Sequence, residues 1–371
     1  MYKPQPNHDE QARQDFVATW RAHLAANIQP GNSQLFAHRL EPSFEARHGR
    51  KPNTVDEVKT LMEGHSCYQF WSAMQRRSQE MMWQSVAEPA LRQRQQLVDD
   101  FRSLGTNAET LGSLTLDPDL AIPLYHRAAD IHIQPGGYHS DTCPDDVTAG
   151  VLYETGLPIY IGGALGPDSD LLGKILVKFA QQYAPQLKPA RILDLGCAVG
   201  NSTLPWVDAY PDSEVHGIDV AAPCLRYGHA RAEEKRKSVH FAQQNAEHTH
   251  FPDQHFDLVV SHIVLHETSR TALSHIFAEC RRLLKPGGVM AHLEIPRGEG
   301  AFQQFMYSWE TYNNNEHFAR LITNIDLRQT AADAGFADAN VELTDFDPGF
   351  SDKQINYSEQ PMAWPILVGQ V

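Results

Sequence analysis

The sequence predicts an α/β protein, with a mostly parallel, doubly wound sheet over residues 161–371 and a mainly helical region over residues 1–160 before it. Three features carry this expectation. From Arg191 onward, short apolar runs alternate with segments of helical period. The first run, Arg191 to Thr203 (RILDLGCAVGNST), closes on Asp194 and turns through Gly196, Ala198 and Gly200, as a strand does when it feeds a helix past a bound ligand. Residues 1–160 lack the alternation and repeat their apolar positions at helical spacing.

The N-terminal region reads first as a helix with Phe16, Val17, Trp20 and Leu24 on one face. Thr54-Val-Asp-Glu57 has the form of a capping box opening a long helix toward Ala87. Its apolar series runs through Val58, Leu61, Met62, Tyr68, Phe70, Trp71, Met74 and Met81–Trp83, a set suited to packing irregular gaps. Pro89 interrupts, and a polar helix follows to about Leu104. Between Leu116 and Pro167 the texture becomes irregular and rich in Pro, Gly, Asp and Tyr, which is typical of a functional loop or lid. Asp130, His132, Tyr138, His139, Asp141 and Cys143 lie there without the spacing of a metal site, so no metal is expected.

Composition bounds the function. The net charge of -15 disfavours a nucleic-acid partner, which needs clustered Lys and Arg. No apolar run approaches the roughly 18 residues that span a membrane, and the polar N-terminus has no apolar signal core. Five scattered cysteines form neither a disulfide framework nor a Cys-x-x-Cys metal pattern, which suggests a reducing, cytoplasmic setting.

In the second half, Asp168-Ser169-Asp170 is expected to cap a helix with Leu171, Leu172, Ile175, Leu176 and Phe179 on its buried face. Asn201-Ser202-Thr203 is expected to cap the next helix, to about Tyr210. Strands follow at Glu214–Val220, Val239–Ala242, Phe256–Ser261 and Val289–Ile295, separated by helices from about Ala222 to Arg236 and Arg270 to Leu284. The turn Gly196-x-Ala198-x-Gly200 has Asn201 where a dinucleotide fingerprint wants glycine. Asp194 beside it suits a cationic ligand better than a pyrophosphate. Asp219, about 20 residues beyond the turn, suits a pair of ribose hydroxyls.

These motifs, with Asn245-Ala246-Glu247, HFDLVVSHIVLHE and RRLLKPGGVMAHLEI in that order, resemble the class I S-adenosylmethionine-dependent methyltransferases. The match covers less than a third of the chain. The resemblance implies a Rossmann-like sheet whose last two strands, near Phe336–Thr344 and Trp364–Val371, form an antiparallel hairpin. It implies S-adenosylmethionine as cofactor, held around Asp194, Gly196, Cys197, Ala198, Gly200, Asp219, Val220, Asn245, Ala246 and Ser261. Asn245 would meet the adenine amino group and the Ala246 amide a ring nitrogen. Past the fourth strand, Leu265-His266-Glu267 resembles the Leu-His-Asp stretch of small-molecule O-methyltransferases, which implies His266 as base for a hydroxyl acceptor, with Glu267 orienting it and His262 nearby. Ser-His-Ile-Val at 261–264 replaces the Asn/Asp-Pro-Pro-aromatic stretch of nucleobase amino-methyltransferases, which again points to a small-molecule acceptor. The segment from Phe302 to Phe336, helical by pattern and carrying Phe302, Phe305, Tyr307, Trp309, Tyr312 and Asn313-Asn314-Asn315, is expected to cover the substrate. A nicotinamide oxidoreductase and a non-catalytic cofactor-binding module are the competing readings. The oligomeric state stays open, a homodimer included.

Overall fold

The computed structural model describes residues 3–107, 110–296, 298–319, 325–349 and 363–371. Eight strands form one sheet: β1 Ser113–Thr115, β2 Arg191–Leu195, β3 Glu214–Asp219, β4 His240–Gln243, β5 Phe256–His262, β6 Leu284–Leu293, β7 Val341–Phe346 and β8 Trp364–Gln370. Their order is β1-β4-β3-β2-β5-β6-β8-β7. The pairings from β1 to β6 are parallel, and β8 runs antiparallel to both β6 and β7. The expected α/β class and the antiparallel last strand are therefore present. The chain runs outward from β2 to β4 on one side and from β5 to β6 on the other. Its topological switch lies between β2 and β5, where ligands bind in open α/β sheets.

Alternation along the strands fills both faces. Ile192, Leu258 and Val260 pack with Leu172, Ile175, Leu176 and Trp206 on one side. Leu193 and Val259 pack with Leu273, Ile276, Phe277 and Cys280 on the other. A strand buried on both faces reads as a continuous apolar run, which is why β2 and β5 stood out in the sequence.

Eleven helices matter here: α1 His8–His23, α2 Val55–Met62, α3 Ser66–Arg92, α4 Arg94–Asn107, α5 Thr148–Tyr160, α6 Leu171–Tyr183, α7 Leu204–Ala209, α8 Ala222–Glu234, α9 Arg270–Leu283, α10 Ala301–Asn313 and α11 Leu327–Asp333. Shorter helical turns lie between them. Several expectations need correction. The stretch beginning at Thr54 is two helices, because the chain leaves helical geometry between Met62 and Ser66. Thr54 Oγ1 does accept the Glu57 amide, but Glu57 turns to the Asn53 amide and Arg50 instead of closing a reciprocal box. Pro89 is carried inside α3, and the break comes at Gln93.

At the start of α7, Thr203 donates to Asp194 and Asn201 donates to Glu154 and the Asp168 carbonyl, so neither caps the helix. Asp170 likewise makes no side-chain cap on α6; it pairs with Lys174. Strand β1 was not anticipated. Three residues with one side chain half-buried carry little periodicity, and only its pairing with β4 makes it a strand. It extends the sheet with residues from before position 161. The helical segment expected after Ala301 runs partly through residues 320–324, which lie outside the described residues.

Most of the apolar series of α2 and α3 is packing, with Phe70 exposed, and none of it lines the cavity at the sheet edge. Val58, Met62, Tyr68 and Trp71 join Phe302 and Phe305 of α10 in one core cluster. Trp309 stacks obliquely on Trp71 at 4.1 Å and donates to Ser72 at 2.7 Å. The N-terminal helices thereby hold α10 beside the carboxyl edge of the sheet.

Candidate active site

The turn after β2 is built by a close approach. Gly196 has φ +66°, and a Cβ there would lie 2.8 Å from Val264 Cγ2. Left-handed backbone costs glycine little, and no other side chain fits the gap. Ala198 also takes positive φ, at 47°. Its amide donates to Asp219 Oδ2 at 2.9 Å, and Asp219 Oδ1 accepts the Ala221 amide at 2.9 Å. The acid ending β3 thus ties down the turn leaving β2.

A cavity of about 170 Å³ opens at this edge. Gly196, Ala198, Asp219, Val220, Asn245 and Ala246 line one part, and His262, Val264, Glu267 and Thr268 another. The irregular segment closes the far side with Tyr125, His126, His132 and Tyr138, and α5 adds Tyr153. So Gly196, Ala198, Asp219, Val220, Asn245, Ala246, His262 and Glu267 come together from positions spread over much of the second half of the chain.

The remaining expected residues sit elsewhere. Asp194 is 1% exposed; its oxygens accept from Thr203 at 2.6 Å and face His262 Nδ1 at 3.2 Å. It braces the turn from behind and is not a cavity-lining charge. Cys197 is buried under β3 against Gly217, and burial pushes its thiol well above the usual range. Gly200 closes the turn against Phe241. Ser261 was expected to face the cofactor. Strand alternation turns it into the core, where it meets His292 Nδ1 at 2.8 Å; His262 is among the residues that line the cavity, but its side chain is only 4% exposed and turns to Asp194.

His266 also departs from expectation. It is 1% exposed and does not line the cavity. Its Nδ1 lies 2.7 Å from Glu294 Oε2 and its Nε2 lies 3.5 Å from Glu267 Oε1. Burial would lower its pKa, but Glu294 and then Glu267 overturn that and hold the imidazole well above the ordinary histidine range. Both of its nitrogens face carboxylates. His262 differs: its Nδ1 faces Asp194, while its Nε2 is buried without a partner. Since these two histidines turn to separate carboxylates, they make no metal pair.

Within the irregular segment, the polar residues divide. Asp130 accepts the Gly136 amide within its own turn, and Asp141 pairs bidentately with Arg226 and ties the segment to α8. His132 and Tyr138 enter the cavity. His132 and Ile133 both have φ of 54°, an unusual conformation for non-glycine residues. The surroundings fix it: the His132 amide donates to the Asn314 carbonyl at 2.6 Å, and its carbonyl accepts from Gln79 and Trp83. Its Nδ1 meets the Tyr138 hydroxyl in a short contact. Its Nε2 lies 3.1 Å from Glu316 and 3.6 Å from Glu267. Asn313 and Asn314 hydrogen-bond Gln79 and Tyr160, and Asn315 the Asp130 carbonyl, so the three amides stitch the end of α10 to α3 and the loop.

Sequence reasoning missed Tyr125 and His126. Tyr125 donates to Glu247 at 3.0 Å. Burial lowers the pKa of His126, only partly offset by Asp219, so it is neutral, and its Nε2 is buried without a partner. The one available signal was their place at the start of the irregular segment.

Residues 192–288 match the profile of a methyltransferase domain, and the sheet order is that of a Rossmann-like fold. The chain is 30% identical over 171 residues to the malonyl-[acyl-carrier protein] O-methyltransferase of Geobacter sulfurreducens, covering 44% of this chain and 61% of that protein. It is 32% identical over 147 residues to the demethylmenaquinone methyltransferase of Thermus thermophilus, covering 37% of this chain and 66% of that protein. It therefore spans less than two thirds of the length of these relatives. Among solved structures, phosphoethanolamine N-methyltransferase 2 of Haemonchus contortus in complex with S-adenosyl-L-methionine is 18% identical, with a TM-score of 0.44 over 62% of this chain and 58% of that one. No helix among the described residues is long and apolar enough to cross a membrane.

Proposed function

We propose that this protein is an S-adenosylmethionine-dependent methyltransferase acting on a small-molecule acceptor. The observation that carries the reading is the cavity at the carboxyl ends of β2, β3 and β5, within a methyltransferase domain, where the small-residue turn, Asp219 and Asn245-Ala246 share one wall. In this reading Asp219 accepts the ribose hydroxyls; each of its oxygens takes one backbone amide and keeps a lone pair. Asn245 and the Ala246 amide meet the adenine. The acceptor occupies the opposite end, toward His132, Tyr138 and Glu267. The net charge of -15 favours a small molecule over nucleic acid here.

Methyl transfer is an in-line displacement. The sulfur–methyl bond breaks as the acceptor–methyl bond forms, and the thioether leaves neutral, so alignment and exclusion of water supply most of the rate. A hydroxyl acceptor must also lose its proton. His262 is the base in this reading: Asp194 faces its Nδ1, and its Nε2, buried beside the cavity, has no partner. His266, set between Glu294 and Glu267, holds Glu267 in place. Calorimetry with S-adenosylhomocysteine and with NAD tests the assignment. Binding of the first alone is expected; binding of NAD alone would replace this reading with a dehydrogenase.

A further inference from the structure

His132, Glu267 and Glu316 come from three segments far apart in the chain, and their ligating atoms all lie within 4.8 Å of one another. We propose that they form a site for one first-row divalent cation, with Mn²⁺ as the type, open on one side to the cavity and to an oxygen of the acceptor. Hydrogens are in short supply between these side chains. His132 Nδ1 is occupied by Tyr138, so Nε2 is the one ring atom facing the two carboxylates. One N–H cannot serve both. It sits 3.1 Å from Glu316, a hydrogen-bond distance, and 3.6 Å from Glu267, beyond one. A cation between them would engage both carboxylates and the imidazole lone pair together.

The spacing fits. Donors at about 2.1 Å from a metal lie roughly 3.0 Å apart when cis in an octahedron and roughly 3.4 Å apart in a tetrahedron. The His132–Glu316 separation matches the cis spacing of an octahedron, and the His132–Glu267 separation of 3.6 Å closes on the same spacing with a rotation of the carboxylate. One imidazole and two carboxylates are a donor set for Mn²⁺, Fe²⁺ or Zn²⁺ rather than for a soft ion. Tyr138 on Nδ1 fixes the ring as outer-shell partners of metal-bound histidines do. Glu267, 19% exposed and lining the cavity, faces the acceptor end. Three protein ligands leave coordination positions open on that side.

The site stands on residues outside the β2 turn, so its failure would leave the cofactor assignment intact. The test is titration of the full chain, with S-adenosylhomocysteine present, by Mn²⁺ followed by electron paramagnetic resonance. The expected result is one Mn²⁺ per chain, weakened at least about tenfold by Glu316→Gln, with S-adenosylhomocysteine affinity unchanged by calorimetry. His132→Gln serves as the second variant if the first does not fold. Absence of saturable binding in the wild type overturns the site, as does wild-type Mn²⁺ affinity in either folded variant.

Discussion

The carboxylate of Asp219 accepts the backbone amide of Ala198 at 2.9 Å, so the acid that ends β3 holds the small-residue turn that leaves β2. Asp219 consequently has two tasks, turn and ligand, and its removal affects both. Asp219→Ala should weaken S-adenosylhomocysteine binding by about 1.5–3 kcal/mol, the range for hydrogen bonds to a charged group. Calorimetry on the folded variant measures it, and an unchanged affinity would remove Asp219 from the cofactor site.

Gly196→Val places a branched side chain at φ +66° against Val264. The wild type should gain thermal stability from S-adenosylhomocysteine by mass action, and the variant should lose that upshift. Equal upshifts would mean that the turn is not where the ligand binds.

On a hydroxyl acceptor, His262→Ala should lower turnover by about 10²–10⁴-fold, the usual worth of general base catalysis, with cofactor affinity nearly unchanged. His266→Ala should act differently, through the position of Glu267 and through stability. If the His266 variant lost turnover with its fold and Glu267 intact while the His262 variant kept it, the base would be His266. If the acceptor is an amine, thiolate or stabilised carbanion, neither base is needed and the His262 variant should keep most of its rate.

His266 also makes stability depend on pH. Its folded pKa is raised above the unfolded value near 6.5. The stabilisation is therefore complete below about pH 6.5 and falls as pH rises toward and through the raised value, by at most about 1.4 kcal/mol per unit for one proton. Urea unfolding between about pH 7 and pH 9 should show a steeper decline for the wild type than for His266→Gln. Parallel slopes would mean that the imidazole is neutral in the folded protein.

The Asn314 side chain accepts from Gln79 at 2.9 Å and donates to the Tyr160 hydroxyl at 2.9 Å, tying the end of α10 to α3 and α5. Asn314→Ala should cost about 1–3 kcal/mol, because it strands buried polar partners. Segment 131–166 gives His132, Tyr138 and Tyr153 to the cavity, and Asn314 of segment 302–315 accepts the His132 amide, so cofactor with acceptor should slow hydrogen exchange in both together. Exchange indifferent to both ligands would show that these segments do not close over the site.

Residues 191–293 disclosed their architecture in advance because short apolar strands, β2 and β5 above all buried on both faces, alternate there with segments of helical period, so local pattern and tertiary environment agree. The turn was legible for the same local reason: Gly196, Ala198 and Gly200 record a backbone that must pass close to something, and their spacing from Asp219 is set within one β-α-β unit. Which way Ser261 and His262 point depends on the phase of β5 in the sheet, and here the phase buried the serine. The charge state of His266 depends on Glu294, which β6 brings beside it from 28 residues away. The grouping of His132 with Glu267 and Glu316 was beyond any local reading. It exists because α10, docked on the N-terminal helices, carries Glu316 to a loop whose strained backbone at His132 is held by Asn314, Gln79 and Trp83. Periodicity records burial along one element; the meeting of side chains from separate elements is decided by packing, which only the folded chain displays.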